Sequence, residues 1–258
     1  TNTFEKRCPI IAMGKAGDII TRLEYGCIRA RCRFHGTPMR LDMCRTYRTI
    51  PEILWDHVDL LLFESSHLLD EFEGLFSYID CPKEVVLHRD FTYEAKTEFP
   101  NVAALVCRMS VEKDIEFAFE VFRELPEWEL IVQGPMDSKS IEWMDREYYE
   151  HLKKNAPENV KFVEWGEPWD TYRNASVILS TSVSEGIASS IMEGMAMGCY
   201  PLLRNWPGAQ RCYPYAGVVT TPEEMTMALR QWEQKSPYER IVMSNTSMRA
   251  IRSDPHKG

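Results

Sequence analysis

The chain has 258 residues and a formal net charge of −9; 44% of its residues are hydrophobic and 27% are charged. Its length suits one large domain or two small ones, and its composition excludes low-complexity and repeat proteins. No apolar run is as long as a membrane span, and the first residues do not form a signal peptide. The eight cysteines show no CxxC pairs or zinc spacing, which predicts reduced thiols and a cytoplasmic location.

Charge is unevenly distributed along the chain. Residues 1–50 hold ten Lys or Arg and four Asp or Glu, a net of +6, so the rest of the chain carries −15. This basic segment includes Arg29, Arg31, Arg33, Arg40, Arg45 and Arg48. They are typical either of a solvated helix face or of a surface for an anionic acceptor. The acidic remainder argues against a general nucleic-acid binder.

Short apolar runs alternate with helical patterns in the first hundred residues. The runs predict strands at 9–13, 39–43, 58–63 and 84–87, and the patterns between them predict helices at 18–34, 50–55 and 67–76. Gly14 and Lys15 match neither the Walker nor the GxGxxG pattern, so we interpret them as a turn. The irregular polar segment 88–100 reads as a linker, and residues 1–95 are predicted to form a first domain.

The alternation of strands and helices is more regular from residue 101 onward. The predicted strands are 102–106, 128–132, 160–163, 177–179 and 200–203, and the predicted helices are 114–125, 140–155, 169–174, 222–233 and 238–251. Such alternation predicts a parallel sheet with helices on both faces. Residues 96–258 are therefore predicted to form a second domain, whose last helix is a candidate for packing back on the first.

The stretch from Ser180 to Gly198 passes from a strand through small polar residues into a helix. A helix N-terminus at the carboxyl end of a parallel strand attracts anions. Glu185 and Glu193 frame this turn and are spaced to contact two parts of one elongated ligand. An alternative interpretation makes Ser190 and Glu193 a capping box with a purely structural role.

The segment from Glu185 to Glu193 resembles the E-x7-E motif of retaining glycosyltransferases of family GT4. The resemblance implies a GT-B fold, that is, an α/β protein of two Rossmann-like domains with parallel sheets, here with a reduced or incomplete N-terminal domain. It further implies that Glu185 contacts the donor sugar and Glu193 the nucleotide ribose. The other residues implied in donor binding are Ser182, Gly186 and Ile187.

Arg108 and Lys113 follow the first strand of the second domain, five residues apart. Two cations at such a junction can converge on one diphosphate, and their spacing matches the R-x4-K pattern of the same family. Gly134 resembles the family's glycine-containing nucleotide loop, with a strand-terminal turn as the alternative. Residues 159–166 resemble its NVxFxG segment, near the nucleotide base.

The resemblance therefore implies a glycosyltransferase that moves a sugar from a nucleotide-diphosphate sugar with retention of configuration. No cofactor is expected, and no metal, because Arg108 and Lys113 would neutralise the departing phosphates. Glycoside hydrolysis fits less well, because Glu185 and Glu193 leave the same loop and helix instead of flanking a bond.

The acceptor side is less familiar. The family often carries a His where this chain has Cys44 and Arg45, and His88 is the one histidine in the interdomain region that merits a test. The acceptor is open between a glycan, a lipid-linked sugar and a modified nucleic-acid base. A rival hypothesis is a catalytically inactive nucleotide-sugar-binding protein with a regulatory or scaffold role.

Overall fold

The structure of the chain, a computed structural model, forms two compact units. The first comprises residues 1–89, 184–187 and 256–258, and the second comprises residues 90–183 and 188–255. This division falls a few residues before the boundary predicted from the linker composition. The described residues are 8–13, 19–20, 31–32, 58–63, 66–75, 77, 80, 82–85, 91, 93–136, 146–183, 185 and 187–252.

The first unit contains a mixed sheet with one described helix. The elements are β1 (Cys8–Met13), β2 (Ile19–Ile20), β3 (Arg31–Cys32), β4 (Val58–Phe63), α1 (Ser66–Leu75) and β5 (Lys83–Val85). The strand order is β3-β2-β1-β4-β5. β4 pairs in parallel with β1 and β5, whereas β2 pairs in antiparallel fashion with β1 and β3.

The helix predicted over 18–34 is wrong where the structure describes this range. Residues 19–20 and 31–32 form the strands β2 and β3. Ile19 pairs with Met13 and Cys32, as part of an antiparallel edge. Apolar residues at helical spacing can still form short strands that pair locally. Whether a strand forms depends on its neighbouring strands, and the spacing of residues within one segment gives no information about those neighbours. The predicted strand 39–43 lies outside the described residues.

The second unit is built on a six-stranded parallel sheet. Its elements are β6 (Val102–Val106), α2 (Ile115–Arg123), β7 (Glu129–Gly134), α3 (Arg146–Asn155), β8 (Val160–Glu164), α4 (Trp169–Asn174), β9 (Val177–Ser180), α5 (Ser189–Ala196), β10 (Tyr200–Arg204), α6 (Ala209–Cys212), β11 (Gly217–Val219), α7 (Pro222–Gln234) and α8 (Pro237–Arg252). The strand order is β11-β10-β9-β6-β7-β8, and every pairing is parallel. The strands predicted here all form, and the sequence missed the short β11.

The core of this unit lies on both faces of the two central strands. All four residues of β9 are buried, and so are four of the five in β6, as expected for strands covered by helices on both sides. α2 buries Ile115, Ala118, Phe119 and Phe122, which follow the i, i+3, i+4, i+7 pattern of an amphipathic helix. Central strands held in this way fix where the loops at their carboxyl ends begin.

α5 is the helix of the predicted central stretch, and it ends as predicted at glycine. Gly198 has a φ of +76°. Its amide donates to Met195 O at 3.0 Å, and the amide of Cys199 donates to Gly194 O at 2.9 Å. These two bonds form a Schellman motif, in which a left-handed residue closes the helix.

Candidate functional site

The loop after β6 is the first part of the candidate site. It turns through a short 3-10 segment, Val111–Lys113, before α2 begins. The Arg108 guanidinium donates to the Glu112 carboxylate at 3.2 Å. Lys113 follows Glu112 directly in the chain, and its positive charge also favours the ionised form of this carboxylate.

Burial and charge act in opposite directions on Glu112. Burial raises the pKa of its carboxyl group, but hydrogen bonds from the backbone and from Ser110, together with the charges of Arg108 and Lys113, outweigh that effect and hold the pKa below its usual value. Glu112 is therefore ionised at neutral pH although its side chain is only 17% exposed. The loop stabilises a partly buried negative charge.

The loop after β9 is joined to the loop after β6 by two hydrogen bonds. Thr181 donates its hydroxyl to the backbone carbonyl of Lys113 at 2.7 Å. The amide of Val183 donates to the carbonyl of Glu112 at 3.0 Å. Because β6 and β9 are neighbours in the sheet, their carboxyl ends bring the two loops together, as the fold predicts for a ligand site.

Glu193 lies in the second turn of α5 and has a protein partner. Tyr172 on α4, which is fully buried, donates its hydroxyl to Glu193 Oε2 at 2.8 Å. α5 begins at Ser189, with Ala188 as its N-cap residue. The capping-box interpretation is therefore wrong, because Ser190 lies inside the helix and cannot cap it.

The remaining predicted donor residues differ in what the structure describes. Ser182, Glu185 and Ile187 are buried, with 3%, 5% and 4% of their surface exposed. Residues 184–187 belong to the first compact unit. The burial of Glu185 and Ile187 therefore shows that their side chains are shielded from solvent and does not show which residues of the second unit they face. Gly186, His88 and Arg45 lie outside the described residues.

Gly134 ends β7 against the neighbouring strand. A Cβ atom at this position would lie 2.0 Å from the carbonyl oxygen of Cys107, a distance that no real contact allows. Only glycine lets the two strand ends approach this closely. This packing explains Gly134 without a ligand, and its role in nucleotide binding stays a prediction.

Residue patterns alone missed four contributors to this edge of the sheet: Glu112, Asp114, Thr181 and Arg204. Arg204 at the end of β10 makes an ion pair with Asp114. Arg204 is a charged residue at the end of a buried apolar strand. This pattern is visible in the sequence and could have marked Arg204 as a candidate. The partners of Asp114, Thr181 and Arg204 are distant in sequence, so no local pattern could have identified these contacts.

The sequence profile of the family described as "Glycosyl transferases group 1" matches residues 89–234, more than half of the chain. The chain belongs to this family. The matched segment begins one residue before the second compact unit and contains both loops and helix α5. The cations and carboxylates described above therefore lie within the glycosyl transferases group 1 region. A search of curated protein sequences found no match.

Several solved structures have a similar fold. The pneumococcal O-GlcNAc transferase GtfA, solved with UDP and GlcNAc, aligns over 95% of this chain and 49% of its own, with 15% identity and a TM-score of 0.65. Sucrose-phosphate synthase from Thermosynechococcus elongatus aligns over 95% of this chain and 63% of its own, with 13% identity and a TM-score of 0.71. A UDP-forming α,α-trehalose-phosphate synthase from Burkholderia vietnamiensis aligns over 85% of this chain and 61% of its own, with 12% identity and a TM-score of 0.65.

These similarities confirm the predicted α/β fold of GT-B type. This member of the glycosyl transferases group 1 family spans between 49% and 63% of the length of the three proteins. In the part of the chain that the structure describes, no helix is long and apolar enough to cross a membrane. Within those same residues, no group of three or more His, Cys, Asp or Glu side chains is arranged to hold a metal ion.

Proposed function

We propose that this chain carries the donor-binding part of a retaining, GT4-type glycosyltransferase that uses a nucleotide-diphosphate sugar. In this proposal Arg108 and Lys113 bind the diphosphate, Glu185 contacts the sugar, and Glu193 contacts the ribose. Ser182, Gly186, Ile187 and Gly134 complete the donor site. Support comes from the family match over residues 89–234, which contains all of these positions.

The observation that carries the proposal is that the loop after β6 holds both cations, with Arg108 paired to the Glu112 carboxylate. The guanidinium lies 3.2 Å from Glu112 Oε1, and the ammonium charge acts on the same group. A diphosphate offers the same kind of oxygen acceptors with more charge. This chemistry supports the proposal that the two cations bind a phosphate group at the carboxyl edge of the sheet.

The two cations would act mainly as the bond between the sugar and the diphosphate of the donor breaks. The bond between the anomeric carbon and the diphosphate oxygen breaks, and negative charge collects on the leaving phosphate. Arg108 and Lys113 stabilise that charge more strongly than the charge of the intact donor. The acceptor hydroxyl forms the new bond on the same face of the sugar and gives its proton to the departing phosphate oxygen, so the configuration is retained. Independence from metal ions belongs to this proposal, because the two cations supply the neutralising charge.

The nucleotide we propose is UDP. One similar structure was solved in complex with UDP, and another is of a synthase described as UDP-forming. The acceptor stays open between a glycan, a lipid-linked sugar and a modified nucleic-acid base. A cytoplasmic location belongs to the same proposal, since Cys107, Cys199 and Cys212 are thiols and not disulfides.

A thermal-shift titration with UDP tests the proposed donor site. Binding to the folded chain raises its melting temperature by mass action. The wild-type protein and Arg230→Ala should both show this rise, because Arg230 bonds Glu124 O from an exposed position on α7. Arg108→Ala should lose it. An equal rise in Arg108→Ala would overturn the assignment of the diphosphate site.

Turnover then separates an enzyme from a binding protein. Release of UDP from UDP-sugars should be measured for the wild-type protein and for Glu185→Gln, with acceptors from each of the three classes. Loss of release in Glu185→Gln, with UDP binding retained, supports sugar transfer. Binding without release for any UDP-sugar and acceptor would favour the regulatory or scaffold role.

A further inference from the structure

Asp114 has an unusual backbone conformation. Its φ is 43° and its ψ is 59°, which is the left-handed region. Among the described residues, no other residue except glycine has a positive φ. Asp tolerates this conformation better than most residues, yet it still costs free energy. Asp114 joins the 3-10 segment to α2 and directly follows Lys113.

Arg204 holds this turn from the end of β10. Its guanidinium makes an ion pair with the Asp114 carboxylate and lies 4.9 Å above the ring of Phe117 on α2. It also donates to the carbonyl of Thr181 at 3.5 Å. One side chain therefore connects the left-handed turn, the first turn of α2 and the loop after β9.

The backbone of Lys113 is fixed from both sides. Thr181 donates to its carbonyl at 2.7 Å, and its amide donates to the carbonyl of Ser110 at 2.9 Å. The next residue reverses the chain in the left-handed turn. The direction in which the Lys113 side chain leaves the backbone therefore depends on that turn.

We infer that Asp114 and Arg204 are positioning residues for the anion site. Their ion pair stabilises the left-handed turn and so sets the place of Lys113 relative to Arg108. This inference rests on the proposed function, since the anion to be bound is the diphosphate of the donor. Neither residue needs to touch the ligand: Asp114 carries the wrong charge for a phosphate, and Arg204 is occupied by Asp114, Phe117 and Thr181.

Three substitutions at position 114 separate backbone conformation from charge. Asp114→Asn removes the charge and keeps a side chain that tolerates the left-handed region. Asp114→Gly removes the ion pair but accepts a positive φ without steric cost. Asp114→Ala removes the ion pair and resists the conformation. The expected order of UDP affinity is wild type, then Asn, then Gly, then Ala, with Ala roughly tenfold weaker than wild type.

Arg204→Gln provides the second half of the test. It should weaken UDP binding about as much as Asp114→Gly, and the double variant Asp114→Asn with Arg204→Gln should be no weaker than Arg204→Gln alone. Such non-additivity is expected of two residues that act through one interaction. Dissociation constants are measured by calorimetry well below each melting temperature, with circular dichroism to show that each variant is folded.

The outcomes distinguish the possible failures. If every variant at 114 and 204 binds UDP like wild type, while Arg108→Ala does not, the positioning role is wrong and the proposed donor site stands. If Arg108→Ala also binds like wild type, or the wild-type chain does not bind UDP, both are wrong. A purely structural pair would lower melting temperatures and leave the dissociation constants unchanged.

Discussion

Tyr172 donates its hydroxyl to Glu193 at 2.8 Å from a fully buried position. The two residues come from consecutive helices: α4 precedes β9 in the chain, and α5 follows it. The bond engages Oε2 of the carboxylate that we assign to the ribose of the donor. Tyr172 therefore fixes where this carboxylate lies before any ligand arrives.

Tyr172→Phe is expected to weaken UDP binding and lower the melting temperature. A hydrogen bond to a charged group contributes about 1.5–3 kcal/mol, and its loss lets the carboxylate of Glu193 leave its present place. Calorimetric titration with UDP and thermal unfolding measure the two effects. Glu193→Ala supplies the control, because it removes the acceptor: if Tyr172 acts through Glu193, adding Tyr172→Phe to this variant should change UDP affinity little. An equal loss in both backgrounds would contradict this link.

Glu112→Gln is expected to strengthen UDP binding, by about threefold to tenfold. In the wild-type protein the diphosphate must share Arg108 and Lys113 with the Glu112 carboxylate, whose low pKa keeps it charged. Removing that charge removes the competition while preserving the shape of the side chain. The dissociation constant for UDP checks the result.

Glu120→Gln is the matched control for the charge at Glu112. It removes the same charge from an exposed position on α2, so it should leave UDP affinity near that of wild type. Weaker binding in Glu112→Gln would mean that Glu112 orients Arg108 and does not compete with the ligand. That result would change the role of Glu112 without moving the anion site.

Gly194 illustrates a close helix-to-strand contact that the motif alone does not explain. A Cβ atom there would lie 2.8 Å from Cβ and Cγ1 of Ile178 on β9. Gly194→Ala should therefore destabilise the protein by about 1–3 kcal/mol, as overpacking of a core does. Gly74→Ala in α1 is the control, because no atom lies within 4 Å of its Cβ position. Urea unfolding of both variants decides the matter, and equal stabilities would refute the predicted clash.

The sequence predicted the second sheet well because its signals are local. Apolar runs mark β6 and β9, glycine marks the end of α5 at Gly198, and parallel pairing follows from the alternation with helices. The prediction for Arg108 and Lys113 is also based on a local signal, because it needs only their spacing of five residues and their place after a strand.

What the sequence did not predict depends on contacts between distant residues. Glu193 and Tyr172 are 21 residues apart, and Arg204 and Asp114 are 90 residues apart. No spacing rule connects such pairs before the sheet has formed. The helix predicted at 18–34 fails for a different reason, since β2 pairs with β1 only a few residues away in the chain and this local pairing overrides the helical spacing.

Cys199 makes stability depend on pH in the alkaline range. The residue is fully buried, and burial raises the pKa of its thiol from the usual 9.0 to about 12, although the nearby charge of Lys96 acts in the opposite direction. The thiol also donates to the carbonyl of Tyr172 at 3.2 Å, which requires the proton. Ionisation of Cys199 is therefore much harder in the folded chain than in the unfolded one.

The free energy of unfolding should consequently fall as pH rises from about 9 towards about 12. Below that window both states hold the proton and the contribution is complete; within it only the unfolded state releases the proton, so the unfolded state gains stability. Burial lowers the pKa of Lys96, and this residue acts with the opposite sign below its usual value of 10.5. Subtracting the pH profile of Cys199→Ala from that of wild type removes the Lys96 contribution to first order. The free energy of unfolding is measured by urea at about pH 8 and at about pH 10.5 for wild type and for Cys199→Ala. Cys199→Ala should lose less stability between the two pH values than wild type does. Equal losses would show that the thiol ionises as easily in the folded chain as in the unfolded one.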